Sequence, residues 1–448
     1  MEKKGFNRSH LITMALGNII GSGIFLASGI VIKLAGPAAV LVYILGGIIM
    51  LMEVMFIAEM SIVNPAPGAF RVHISEIFGP GAGFVNGWMF WCSGVLGMAS
   101  EVTAAAIFSA FWFPKIPLWV FCLFYAAVMT LINFMDVRGL SKVEMVLASI
   151  KVVALAGFVV FGILVATRII PVEEPGIRTG FSSLHQFFPH GITGLAAAML
   201  SVLFSFSGTG IIGMAVADMN NPKKDLPPSI YTITTVVTGL YSLSILFIVL
   251  LVPWDTISAA RSPFVSLLQH AGIPIAGSIL NFIVLSASLS GLNSSMYSAS
   301  RMLFSLSKDG QGPRKFLKKN RNGVPVYALS VTSAVLGLTA ILSYVLPQSA
   351  FIILTGAASF TAMINWLMIS ITHLFYRRKT LRERPEKLKY KAPGYPVVTI
   401  LAVLLMGVIL LTSPLYPGQI ASLVGGVLLI ALLIGIYRVL KAGGKLRV

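Results

Sequence analysis

Asn18-Ile19-Ile20-Gly21-Ser22-Gly23-Ile24-Phe25 lies in the middle of the first hydrophobic segment of the chain, and its reading decides the fold. A helix crossing lipid satisfies every backbone group internally, so an unbroken run of Leu, Ile and Val is the expected pattern. Gly21 and Gly23, flanking Ser22, oppose it. Each glycine costs about 1 kcal/mol against alanine in a helix interior. An open backbone at bilayer depth survives where it lines a protein cavity and offers its free N–H groups to a ligand. A second break of the same kind, Ser207-Gly208-Thr209-Gly210, interrupts a later hydrophobic segment. Two interrupted spans in the two halves of a membrane protein point to the binding site of a transporter.

Composition agrees with this setting. The 448 residues are 56% hydrophobic and 11% charged, with a mean hydropathy of +0.89, whereas soluble chains carry about 25% charged residues. The length suits about twelve spans of roughly 20 residues and leaves no room for a separate soluble domain. Cys92 and Cys122 both lie in apolar segments without ligand-like spacing and read as small buried hydrophobes, not a disulfide framework. The N-terminus resembles a signal peptide superficially. Its apolar stretch is too long, carries Asn18 and the glycines, and precedes further spans, so it reads as a retained first helix.

The twelve predicted segments cover residues 11–32, 38–63, 84–111, 118–134, 143–166 and 192–219, then 230–252, 273–306, 326–345, 350–375, 397–412 and 420–440. Their charges follow the positive-inside pattern with both termini cytoplasmic. Of the 33 Lys and Arg, only Lys33, Lys115, Arg168, Arg178 and Arg261 fall outside and Lys151 falls within a span; the richest internal loops are 301–321 and 377–391. The formal charge of +18 is thereby explained without nucleic acid. The 377–391 cluster could also touch anionic lipid head groups.

Segments 1 and 6 each open a half, each is broken by Gly and Ser, and the breaks lie roughly 190 residues apart. This spacing predicts an all-α polytopic membrane protein with an inverted five-plus-five repeat, over about 11–166 and 192–376, and two added C-terminal helices over about 397–440. The whole chain is expected to form a single transmembrane domain.

At the first break, amides of Gly21, Ser22, Gly23 and Ile24 and the half-helix dipole suit a small carboxylate. Close helix packing through small residues is the alternative, but Gly21 and Gly23 point to different faces. At the second break, Phe204-Ser205-Phe206-Ser207-Gly208-Thr209-Gly210 should expose carbonyls and hydroxyls able to hold an ammonium group. Phe206 reads either as an aromatic lid or as core packing, and Phe204 as core.

Lys151 sits nine residues past Lys142, roughly 13 Å deep at about 1.5 Å per residue, near the middle of a core about 30 Å thick. A lysine there is a functional candidate. It reads as a titratable carrier of the coupling proton, as a replacement for a sodium ion, or as a fixed cation bonded to carbonyls. Glu101 is a buried carboxylate that could line the pocket or carry a proton. Glu59, near the cytoplasmic end, reads as a structural partner of basic loop residues, and Glu53 has no assigned role. His10, His73, His185, His190, His270 and His373 are dispersed toward span ends and loops. No metal cluster, paired-acid site or Ser–His–Asp arrangement emerges, so neither a cofactor nor enzyme chemistry is expected.

The chain resembles the amino acid–polyamine–organocation transporter superfamily, and within it the bacterial amino acid permeases. The resemblance rests on residues 17–25, Asn64-Pro65-Ala66-Pro67-Gly68-Ala69-Phe70, Gly87-Trp88 and Met98-Ala99-Ser100-Glu101-Val102-Thr103-Ala104. It continues through Phe204-Ser205-Phe206-Ser207-Gly208-Thr209, Asn221-Pro222-Lys223-Lys224 and Arg301-Met302-Leu303-Phe304-Ser305-Leu306 with Lys308-Asp309-Gly310. Gly323-Val324-Pro325 and Lys391-Ala392-Pro393-Gly394-Tyr395-Pro396 complete it.

The resemblance implies the leucine-transporter-like inverted-repeat fold and amino acid uptake. It implies that residues 21–24 bind the substrate carboxylate, while Phe206 and nearby carbonyls hold the amino group. It also implies that Lys151 replaces a sodium ion and couples protons, touching carbonyls of residues 17–20 and Ser286, Ser288 and Ser290. Where such proteins usually carry Glu, this chain has Gly210; Asn220-Asn221-Pro222 and Asp218 also depart from the pattern. Loss of the acid at 210 favours a neutral substrate: branched-chain, aromatic or otherwise apolar. The expected function is therefore proton-coupled import of such an amino acid through the cell membrane by alternating access. An exchanger is the alternative, and a non-transporting sensor a remoter one, since sensors normally add a long signalling tail.

Overall fold

The computed structural model describes residues 7–65, 70–135, 137–170, 184–216, 219–259, 261–272, 274–347, 349–413, 419–444 and 446. Of residues 135, 137–145, 184, 185, 214, 270 and 274 it describes the backbone alone. Residues 66–69 of the Asn-Pro motif, most of the 171–190 loop, Asp218 and the Lys142 side chain thus lie outside the described part.

Chain order begins with α1 (Arg8–Ile19), a π-helical turn (Gly23–Ala27), α2 (Ser28–Ala35), α3 (Ala39–Val63), α4 (Phe70–Phe78) and α5 (Pro80–Ala110). It continues with α6 (Leu118–Met135), α7 (Val137–Ala166), α8 (Leu184–Phe187), α9 (Gly191–Ser205), α10 (Gly210–Ala215) and α11 (Pro222–Leu251). The remainder is α12 (Pro263–His270), α13 (Pro274–Lys308), α14 (Val326–Val345), α15 (Ala350–Glu383), α16 (Val397–Thr412) and α17 (Ile420–Ala442). Among the described residues, eight helical stretches are long and apolar enough to cross a membrane, and α6, α9 and α16 are shorter apolar helices.

The two predicted breaks are where the helices divide: α1 from the π-turn and α2, and α9 from α10. Several other helices outrun their predicted bounds. α5 starts at Pro80 and not at 84, α11 at Pro222 and not at 230, and α15 runs to Glu383 and not to 375. Hydropathy marks where lipid begins, while a helix continues into water as long as its caps allow. Proline suits the first helical turn, where the missing N–H has no intrahelical partner; Pro80 follows Gly79, whose φ of 87° turns the chain out of α4. Pro227 and Pro228 lie inside α11, close enough to its start that the carbonyls they leave unpaired belong to its first turns near the helix end.

The side chains are arranged for a lipid surround. Large apolar residues such as Val153, Leu131, Leu411 and Val439 are exposed on the outside of the bundle. Ser, Thr and Asn side chains are buried inside it, and many of the hydroxyls turn back to their own helix, as Thr103 does to the Ala99 carbonyl at 2.8 Å. That distribution fits helices whose association gains nothing from hiding apolar surface and relies on close packing through small residues. Along the centre, α5 and α13 run side by side, with Gly94 facing Ala299, while α3 packs on α11 where Gly47 meets Thr238. α16 and α17 lean on α15 from outside, Gly426 of α17 seating the Phe360 ring. The two breaks meet in the middle of this frame.

Candidate functional site

The first break begins where α1 stops at Ile19. Gly21 N–H turns back to the Ile19 carbonyl at 3.0 Å and abandons the bond it would make to Gly17 in a continuous helix. That leaves the Gly17 carbonyl and the Ser22 amide without helical partners, two strong polar groups deep in an apolar bundle. Both are satisfied from distant helices. Lys151, fully buried on α7, donates to the Gly17 carbonyl at 2.7 Å and to Ser290 Oγ of α13 at 2.7 Å. The Ser22 amide donates to both carboxylate oxygens of Glu101 on α5, at 3.1 Å each. The cation thus sits at the carbonyl end of the interrupted helix and the anion at its amide end, as the backbone dipoles favour. Ser288 and Ser286 bond within α13 itself, to the Val284 and Ile283 carbonyls.

Glycine at this break permits close contact with other helices. A β-carbon at Gly21 would overlap Glu101 Oε1, and one at Gly23 would lie 2.6 Å from Ser205 Cα at the end of α9. The two interrupted helices therefore meet backbone against backbone. At the second break Gly208 has φ +92°, and a β-carbon there would stand 2.8 Å from the Asn18 carbonyl oxygen. Asn18 Nδ2 donates to the Gly208 carbonyl at 2.7 Å, stitching the two breaks together. Behind them the Tyr241 hydroxyl donates to the Ile19 carbonyl at 3.2 Å.

A cavity of about 100 Å³ opens beside the second break, lined by residues 207–211 and Asn18. α5 contributes Phe90, Ser93 and Gly97, α13 contributes Ser295 and Ser298, and α15 contributes Asn365 and Trp366. The buried Thr209 and Ser298 hydroxyls have no hydrogen-bond partner among the described residues. A β-carbon at Gly210 would come within 3.1 Å of the Phe90 ring and 3.6 Å of Phe70, so these two rings, 5.1 Å apart, hold the space a side chain at 210 would enter.

The expected site residues are therefore divided. Ser207, Gly208, Thr209 and Gly210 line the cavity, whereas Gly21, Ser22, Gly23 and Ile24 do not and stay buried beside Glu101 and α9. Phe206 also stands away from the cavity, fully buried between Tyr43 (6.1 Å between ring centres) and Tyr241 (5.3 Å) and close to Gly46. The turn after Ser205 aims the ring at α3 and α11. Asn365, Trp366, Phe90 and Ser298 were not singled out from the sequence. Polar and aromatic residues are common in these spans, and nothing local marks which ones converge.

Glu59 accepts from the Arg377 guanidinium at 3.2 Å and from the Ala392 amide at 2.6 Å, which makes it the structural partner of the basic loop. Two histidines expected near span ends and loops are fully buried: His73 in α4, and His373 in α15, between Glu59 (3.3 Å) and Thr399 (3.1 Å). Glu53 is buried with one oxygen on the Ser370 hydroxyl at 3.4 Å. Cys92 and Cys122 are free thiols.

Comparison with known proteins agrees with this architecture. The profile of the amino acid permease family matches residues 10–444. The γ-aminobutyric acid permease of Bacillus subtilis (strain 168) is 35% identical over 405 residues, 90% of this chain and 86% of the relative. The amino-acid permease RocE of the same organism is 33% identical over 436 residues, covering 96% and 93% of the two chains. The aromatic amino acid transport protein AroP of Salmonella typhimurium (strain SL1344) is 33% identical over 423 residues, covering 94% and 92%. Long apolar helices, two interrupted helices with buried charges at the first break, and this match along nearly the whole length lead to one conclusion: the chain belongs to the amino acid permease family of the amino acid–polyamine–organocation superfamily, a multi-pass membrane transporter of amino acids and not an enzyme.

Proposed function

We propose that this permease imports a neutral amino acid across the cytoplasmic membrane together with a proton, by alternating access. The observation that carries the reading is the cavity lining: hydroxyls, carboxamides and aromatic rings, with no ionised side chain among the described residues. A charged substrate side chain would be desolvated there without a partner, a cost of several kcal/mol by order of magnitude. An uncharged one meets rings and hydroxyls that accept it. Two relatives are named for γ-aminobutyric acid and for aromatic amino acids, substrates without a charged side chain, which supports the same reading.

In this proposal the substrate carboxylate takes amides of residues 21–24 and its ammonium takes carbonyls of the second break, next to the cavity. Lys151 and Glu101 carry the coupling charge, and the proton is the only coupling ion. The chain crosses the membrane twelve times as an inverted five-plus-five repeat with two added helices, both termini cytoplasmic. Transport is a rocking of α1, α2, α9 and α10 against α5 and α13.

The test is uptake of a labelled amino acid panel into proteoliposomes, with and without an inward proton gradient. Accumulation of a neutral amino acid under the gradient alone is the expected result. Uptake that requires preloaded vesicles would make the protein an exchanger, and preference for a cationic amino acid would overturn the reading of the cavity.

A further inference from the structure

The amide that a substrate carboxylate would use is already occupied. Both oxygens of Glu101 accept from Ser22 N–H at 3.1 Å, in a slot with glycine on either side. A β-carbon at Gly21 would overlap Glu101 Oε1, and one at Gly291 of α13 would lie 3.1 Å from the same oxygen. Glycine at both positions leaves the room that the Glu101 carboxylate fills. The second break shows the complementary arrangement. Asn18 Nδ2 donates to the Gly208 carbonyl at 2.7 Å, where a substrate ammonium would donate. Between them, an acid and a carboxamide N–H of the chain itself occupy one amide of the first break and one carbonyl of the second.

The surroundings decide what Glu101 does when it is displaced. The ionisable groups facing it are Lys151 from α7 and Tyr241 from α11, with Tyr43 of α3 against Tyr241 at 6.0 Å between ring centres. The Lys151 ammonium is committed to Gly17 and Ser290, so a displaced carboxylate meets no uncommitted cation among the described residues. Two carboxylates brought together in a buried site do not both stay ionised; one of them holds a proton.

We propose that Glu101 is a built-in stand-in for the substrate, which keeps the Ser22 amide until an arriving amino acid carboxylate displaces it. Glu101 then leaves as the neutral acid, its new O–H bond made with a proton from the aqueous phase. Loading one amino acid takes up one proton. This inference rests on the reading of residues 21–24 as the carboxylate site and adds the step that links occupancy to protonation. The sign follows from linkage. Where Glu101 is ionised in the empty transporter, binding consumes a proton, and affinity weakens by up to about tenfold per pH unit as pH rises. Below that range, where Glu101 is already protonated, affinity is flat.

The experiment is equilibrium binding of labelled leucine, phenylalanine and γ-aminobutyrate to the purified full chain from acid to alkaline pH. Calorimetry in buffers of different protonation enthalpy counts protons on the probe that saturates. Expected are uptake approaching one proton per substrate on the alkaline side and a matching loss of affinity, both absent in Glu101→Gln. Binding by wild-type protein with no proton uptake at any pH would overturn the inference and leave the carboxylate site standing. So would a Glu101→Gln variant that keeps the wild-type pH slope. The wild-type proton count stands by itself if the variant does not fold. Failure of all three probes to bind wild-type protein at any pH would overturn the neutral-substrate reading and this inference together.

Discussion

Gly23→Ala adds one methyl group where the two interrupted helices meet, and the structure supplies its cost. The new carbon would stand 2.6 Å from Ser205 Cα, 3.0 Å from Ser205 N and 3.2 Å from the Phe204 carbonyl oxygen. Carbon contacts settle at about 3.5–4.0 Å, so the breaks must part by roughly 1 Å. All three neighbours are backbone atoms, and no side-chain rotation relieves the clash. Overpacking of this kind costs about 1–3 kcal/mol. The parting also pulls on the 2.7 Å bond from Asn18 to Gly208, the link across the proposed binding site. Substrate affinity should therefore fall by about tenfold or more, since 1.4 kcal/mol is a factor of about ten. Thermal unfolding of the detergent-purified protein should drop by several degrees alongside it. Gly157→Ala in α7 is the control: a β-carbon there meets nothing within 4 Å, and the helix gains up to about 1 kcal/mol. Wild-type stability and affinity in Gly23→Ala would refute the backbone-to-backbone contact of the breaks and the reasoning built on it.

Lys151→Met removes two charge-assisted bonds at 2.7 Å, about 1.5–3 kcal/mol each, but also ends the burial of an ion, which costs several kcal/mol. Methionine leaves the buried Gly17 carbonyl without its donor, so stability should fall by about 1–3 kcal/mol while gradient-driven accumulation disappears; accumulation at the wild-type level would exclude Lys151 from coupling. Gly97 lines the cavity, and a β-carbon there meets nothing within 4 Å. Gly97→Leu should thus fold normally, because leucine favours helix by about 1 kcal/mol over glycine, yet fill the cavity. Competition assays should show aromatic amino acids losing at least tenfold in affinity (about 1.4 kcal/mol) and the smallest substrates losing little; an unchanged ranking would remove Gly97 from the side-chain pocket.

Much of the bundle was legible because its signals are local. Apolar runs of span length mark the helices, and loop 377–391 gathers basic residues that hydropathy alone separates from the spans. Helix ends were less legible: α15 continues to Glu383 through Arg377, whose charge ends the apolar run but not the backbone ladder, since its guanidinium finds Glu59 and the Ala392 carbonyl. Phe206 illustrates the limit more sharply. Its position in the second break suggested either a lid or a core residue, and only the direction taken by the turn after Ser205 placed it against Tyr43 and Tyr241.

By itself the sequence determined that two spans break and that a lysine is buried in a third. Glycine pairs weaken a helix wherever they stand, and an ammonium nine residues beyond Lys142 in an apolar run has no water within reach. Which groups meet at the breaks was decided by the tertiary structure alone. Ser22 finds its acceptor 79 residues along the chain in Glu101, and Lys151 finds Gly17 and Ser290 at separations of 134 and 139 residues. The physical reason is that a break frees its amide and carbonyl through local backbone geometry. Their partners come from whichever helices the small residues allow to approach, and no periodicity in the sequence encodes that neighbour.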